Sequence, residues 1–189
     1  CSSDLINVNT QILYNSLNSL TFKAAPGATT FVSKDISNTG TGDINFVNGV
    51  YVNSNISTKG AISVTTTSAS DNFDWQSGTI TVGVGKTFTT AANISPVDIG
   101  NNNTTVSQTQ GFNGGTWNMQ GVANLNAKGN LILGAGATLN IAPGASFNLA
   151  STQTTPQISG SGTLNNSGTI TVSLNSQPIT IGEIGRAHV

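Results

Sequence analysis

Asn130-Leu131-Ile132-Leu133-Gly134-Ala135-Gly136-Ala137-Thr138-Leu139-Asn140-Ile141-Ala142-Pro143-Gly144-Ala145-Ser146-Phe147-Asn148-Leu149 is the stretch that decides the fold. Its apolar residues come in alternating pairs, Leu131/Leu133, Leu139/Ile141 and Phe147/Leu149, split by the turn sequences Gly134-Ala135-Gly136 and Pro143-Gly144. Side chains of a strand point alternately to its two faces, so a period of two over a few residues marks a short strand buried on one side. Gly and Pro-Gly then mark where each strand stops.

The same grammar extends in both directions. Before this stretch come Ile44/Phe46, Val50/Val52, Ile62/Val64, Phe73/Trp75, Ile80/Val82/Val84 and Trp117/Met119; after it come Ile170/Val172/Leu174 and Ile179/Ile181. Asn, Ser, Thr and Gly fill the gaps, as in Asn38-Thr39-Gly40, Asn48-Gly49, Gly114-Gly115 and Asn166-Ser167-Gly168. The best helical spacing, Ile12, Leu13, Leu17 and Leu20, is broken by Asn and Ser.

Short motifs recur. Trp75-Gln76-Ser77-Gly78-Thr79-Ile80 matches Phe112-Asn113-Gly114-Gly115-Thr116-Trp117, and Gly-Thr-apolar returns at Gly162-Thr163-Leu164 and Gly168-Thr169-Ile170. Gly83-Val84-Gly85-Lys86-Thr87-Phe88 matches Gly134-Ala135-Gly136-Ala137-Thr138-Leu139 at a different offset, so the repeats are irregular. Self-similar short strands with many turns point to a solenoid. A parallel β-helix needs only two or three inward apolar residues per strand and uses Asn and Gly at corners, where left-handed backbone is tolerated. Coils of roughly 20 to 25 residues, a usual solenoid period, would give about eight turns. A β-sandwich is the alternative, because evenly spaced short strands are also its cue.

Charged residues make up 7% of the chain, against roughly 25% in an ordinary soluble domain. The net charge is -1, leaving no basic patch to displace counterions from a phosphate backbone, so no nucleic-acid partner is expected. With 36% hydrophobic residues the chain is too apolar to read as disordered. No run approaches the roughly 18 apolar residues of a membrane span. One Cys excludes an internal disulfide framework. Cys1-Ser2-Ser3-Asp4 fits either the lipidated start of a bacterial lipoprotein or the edge of a fragment.

The last seven residues, Glu183-Ile184-Gly185-Arg186-Ala187-His188-Val189, resemble a translated sequencing adaptor and hold the only Glu, Arg and His. The expected organisation is therefore 1–182, a β-helical piece of a larger protein, and 183–189, a non-native tail.

Few residues suggest chemistry. Asp71-Asn72-Phe73-Asp74 is the one close pair of carboxylates, but on an extended segment its two Asp residues should point to opposite faces unless a turn intervenes, and turn-capping by Asp is the reading preferred over an acid/base pair. Asp43, Asp71, Asp74 and Asp98 are too dispersed to suggest a calcium site. Trp75 and Trp117 read as core rather than as sugar platforms. The Thr-x-Thr pairs Thr65/Thr67, Thr79/Thr81, Thr87/Thr89 and Thr169/Thr171 are spaced too unevenly to form an ice-binding lattice. No catalytic, cofactor-binding or metal-binding residue is assigned, no cofactor is expected, and the chain is read as not an enzyme.

Gly42-Asp43-Ile44-Asn45-Phe46, Val50-Tyr51-Val52 and Asn55-Ile56-Ser57-Thr58-Lys59-Gly60-Ala61-Ile62-Ser63-Val64-Thr65 resemble repeats of filamentous-haemagglutinin-type surface proteins. Asn124–Leu133 and Ser161–Ile170 are similar to repeats of that group and of autotransporter passengers. The likeness runs from about Gly42 to Val172 and reflects coil grammar. It implies a right-handed parallel β-helix, secreted or held at the cell surface, serving as a structural or adhesive segment with glycans or matrix proteins as partners. A polysaccharide-binding or polysaccharide-degrading β-helix is the alternative function, and an ice-binding solenoid the third.

Overall fold

The computed structural model describes residues 5–94, 96–100, 108–126, 129–151, 157–174, 180–181 and 187–188. Among them every element is a short strand, and every strand pairing is parallel and joins strands one coil apart. That is a β-solenoid, and it excludes the sandwich, whose hairpins and meanders are antiparallel.

Three faces run along the axis. The first stacks Ile6–Val8, Thr29–Val32, Gly49–Asn53, the start of Phe73–Thr81, Val97–Ile99, Val122–Leu125, Ser146–Ser151 and Thr169–Leu174. The second includes Ile12–Tyr14, Ile36–Asn38, Ile56–Thr58, the end of Phe73–Thr81, Gln108–Asn113 and Gly129–Leu133. The third is an eight-stranded sheet from Leu20–Lys23 to Ala187–His188. The strand Phe73–Thr81 turns the corner between the first two faces, with a register irregularity between Trp75 and Ser77.

The alternating pairs build the core. Val50/Val52, Phe73/Trp75, Ile44/Phe46, Ile62/Val64, Trp117/Met119, Leu131/Leu133, Leu139/Ile141 and Phe147/Leu149 are all buried. The interior is widest in aromatic content where Phe73 and Trp75 of the first face, Phe112 of the second and Phe88 and Trp117 of the third meet. Their ring centroids are 5.2 to 6.5 Å apart. Both Trp residues are core, as expected.

As the broken spacing suggested, Ile12, Leu13, Leu17 and Leu20 form no helix: Ile12–Tyr14 and Leu20–Lys23 are strands, and Leu13 and Leu17 are exposed. Two sequence expectations fail. Val84 does not continue the Ile80/Val82 row but stands in solvent at the turn closed by Lys86 N–H donating to Gly83 O (2.9 Å). The match of Trp75 with Phe112 and of Trp117 with Ile80 is also wrong. Trp75 stacks between Val52 and Ile99, Trp117 between Phe88 and Leu139, and Ile80 beside Phe112.

Corners use the residues the sequence suggested. Asn48 has a left-handed backbone (φ 77°), and its amide donates to Ala24 O (2.6 Å) while accepting from Thr67 N–H (3.0 Å). Buried Asn38 donates to Gly42 O and accepts from Gly40 and Ser16 N–H, so both ends of its amide are satisfied. In the 183–189 segment, Ala187–His188 lie beside Leu164 and Asn165, a backbone pairing open to any extended segment at a free sheet edge. Residues 183–186 and 189, and the Cys1–Asp4 start, lie outside the described residues.

Candidate functional site

Residues that alternate with the core row face solvent, and the register lines them up from coil to coil. On the first face this gives a continuous outward column: Phe31, Tyr51, Asp74, Asp98, Asn124 and Asn148. Each is flanked on its own strand by inward residues, as Asp74 is by Phe73 and Trp75, so the core fixes where each side chain leaves the sheet.

The column changes character along its length. Phe31 and Tyr51 place their rings 5.4 Å apart, tilted by 37°. Next come two carboxylates on neighbouring strands, then two amides. Asn124 Nδ2 donates to Asp98 Oδ1 (3.0 Å), and Asn148 Nδ2 donates to Asn124 Oδ1 (3.0 Å). Asp74 accepts from the Gln76 side-chain amide, whose own carbonyl oxygen is buried without a partner.

In-register parallel strands lie about 4.8 Å apart, so Asp74 and Asp98 are held as close neighbours of like charge. Burial raises the Asp74 carboxyl above its ordinary value; the Gln76 hydrogen bond opposes this and the Asp98 charge adds to it. The Tyr51 phenol is raised too, by burial first and by Asp74 second, so it stays a protonated donor at neutral pH. A carboxyl that binds its proton more tightly when folded adds stability below its unfolded value, and that contribution is lost as pH rises through the folded value. Stability should therefore fall as pH is raised from the ordinary Asp range through the raised value of Asp74. Asp98→Asn should flatten that fall, as read by denaturant melts at a series of pH values; an unchanged profile would contradict the coupling.

Asp71 does not join the pair. It is buried in the turn after Thr66, accepting from Thr66 Oγ1 (2.5 Å) and from Gly27 N–H (3.0 Å) across a coil boundary. Asp71 and Asp74 point apart, as expected. The neighbour of Asp74 is Asp98, one coil away. Asp43 is engaged with Ala61 N–H (2.8 Å). Among the described residues no three His, Cys, Asp or Glu side chains form a metal-binding group.

The Thr-x-Thr pairs scatter as expected: Thr79 and Thr81 are on the second face, Thr87 and Thr89 on the third, Thr169 and Thr171 on the first. The third face nevertheless carries a threonine column that this motif misses. Thr87, Thr116, Thr138 and Thr163 are in register on consecutive coils, and beside them run Thr89, Asn118, Asn140 and Asn165. Asn140 Nδ2 donates to Asn118 Oδ1 (3.2 Å) and Asn165 Nδ2 to Asn140 Oδ1 (2.9 Å). A groove of about 530 Å³ runs along this amide ladder and is bounded by Pro143 and Ser167. The repeated unit is Thr-apolar-Thr on the first of these coils and Thr-apolar-Asn on the next three, and only the coil register shows that the copies coincide.

No family model matches the chain, and no curated protein or solved structure matches it. Among the described residues no helix is long and apolar enough to cross a membrane.

Proposed function

We propose that this solenoid is a structural or adhesive segment of an exported, cell-surface protein, that it acts without catalysis, and that its first face holds a glycan. The observation that carries this reading is the outward column from Phe31 to Asn148. Five coil steps of about 4.8 Å make it about 24 Å long, enough for several sugars in a row. Aromatic rings at one end offer a face to the C–H side of a sugar ring. The carboxylates and amides at the other end accept from and donate to hydroxyl groups. A parallel solenoid holds all six side chains on fixed backbone, so little order is lost on binding. The low charge and the repeat resemblance to haemagglutinin-type surface proteins support export and adhesion.

The test is a screen of the whole chain against glycans and matrix proteins, with Tyr51→Ala beside it. Tyr51 is half-buried at the surface, so its truncation should leave the fold intact. Loss of an anchoring aromatic is expected to weaken binding at least tenfold, about 1.4 kcal/mol or more. Absence of any binding by the unmodified chain, or equal binding by Tyr51→Ala, would sink the reading.

The stacked carboxylates favour one second reading, cleavage of the bound polysaccharide, with Asp74 as the acid and Asp98 as its partner. Release of reducing ends that disappears in Asp98→Asn would replace the non-catalytic reading with this one.

A further inference from the structure

We propose that the third face binds ice. Thr87, Thr116, Thr138 and Thr163 form one column, and Thr89, Asn118, Asn140 and Asn165 form a second beside it. Steps along each column are about 4.8 Å and the columns lie about 6.6 Å apart, two residues along a strand. That gives a nearly rectangular lattice of polar groups whose two repeats are close to those of oxygen rows on faces of hexagonal ice. Each Thr offers a hydroxyl to bond a lattice water and a methyl to sit between waters. Among the described residues no hydrogen bond engages the side-chain hydroxyl of Thr87, Thr116 or Thr138.

The lattice is held stiff from beneath and within. Phe88, Trp117, Leu139 and Leu164 form the inward row between the two columns, and all are buried. Thr116 N–H donates to Lys86 O (2.9 Å), Thr138 N–H to Gly115 O (3.0 Å) and Thr163 N–H to Ala137 O (2.9 Å), locking successive coils. The Asn ladder orients its amides in one direction. None of the eight outward side chains is charged, so no tightly held ionic hydration shell competes with an ice-like one. The lattice spans only four coils, so a modest activity is expected.

This inference is independent of glycan binding, which uses the first face. The test measures thermal hysteresis, ice-crystal shaping and inhibition of recrystallisation by the whole chain, with Thr138→Tyr in the middle of the lattice and Thr171→Tyr on the first face. The expected result is activity in the unmodified chain and in Thr171→Tyr, and loss to the level of an inert control protein in Thr138→Tyr with an unchanged melting temperature. If Thr138→Tyr melts early, Thr116→Lys at the adjoining lattice point is read in its place, with the same loss expected. No activity in the unmodified chain, full activity in a folded lattice variant, or equal loss in Thr171→Tyr would overturn the proposal. So would retention on crystalline cellulose without any effect on ice.

Discussion

Trp117→Ala is expected to cost about 3–5 kcal/mol of unfolding free energy, the usual range for deleting a fully buried aromatic. Trp117 has no exposed surface, and its ring lies 5.2 Å from Phe88, 6.0 Å from Trp75 and 6.1 Å from Phe112 by centroid. It therefore joins side chains from all three faces. Its Nε1–H also donates to Thr90 Oγ1 (3.2 Å), the buried threonine of the coil before. In a solenoid each coil is stabilised mainly by its neighbours, so a void here weakens the interfaces on both sides at once. With about 2–4 °C per kcal/mol for a chain of this size, the melting temperature should fall by roughly 6–20 °C. Trp117→Phe should recover most of the loss, because the ring contacts outweigh one hydrogen bond. A cost below about 1 kcal/mol for Trp117→Ala, outside the usual range, would mean that the aromatic cluster does not hold these coils together.

Gly78→Ala is expected to cost at least about 3 kcal/mol, combining left-handed strain of 1–3 kcal/mol with a steric clash. Gly78 has φ of 93° at the corner where one strand passes from the first face to the second. A Cβ there would fall inside van der Waals contact of the Ser54 carbonyl on the neighbouring coil. Gly85 supplies the comparison: its φ is 72°, but a Cβ would meet open space. Gly85→Ala should therefore cost only about 1–2 kcal/mol, the strain alone. Denaturant melts of both variants separate the two contributions, and equal costs would show that coil contact at Gly78 contributes nothing.

The difference between these two glycines also shows what could be read from the sequence. Alternation identified the inward rows, because a side chain's face depends only on its neighbours along the strand. Which strand lies beside which depends on coil length, and coil length varies. In-register partners on neighbouring coils are 18 residues apart at Asn45 and Ser63, 22 at Asn118 and Asn140, and 29 at Phe88 and Trp117. Extra residues enter at the corners and leave the strand grammar unchanged. Gly-Thr-apolar therefore occurs on every face: Thr79 on the second, Thr116 and Thr163 on the third, Thr169 on the first. Matching Trp75 to Phe112 joined two faces by that shared grammar. The other match, Gly83–Phe88 with Gly134–Leu139, is correct, since Thr87 and Thr138 sit in one column two coils apart with Thr116 between them.

Both candidate surfaces were hidden for the same reason. Asp74 and Asp98 lie 24 positions apart and become neighbours only when one coil has exactly that length there. Asn ladders lie on the strand faces rather than at the corners, where Asn38 and Asn48 bond mainly to backbone. Strand faces allow identical side chains to repeat at one position on each coil, whereas corners of unequal length do not.

The stacking register places Phe31 over Tyr51, Asp74 over Asp98 and Thr87 in line with Thr163, so its direct test is disulfide trapping. Asn118→Cys with Asn140→Cys, in a chain whose Cys1 is replaced by Ser, sets two thiols on adjacent in-register strands about 4.8 Å apart, within the 4.4–6.8 Å range of Cα separations that disulfides span. Mild oxidation should close this bond nearly completely within one molecule, while Asn118→Cys with Asn148→Cys, on different faces, should stay reduced. Failure of the first pair to close, or equal closure of the second, would contradict the register.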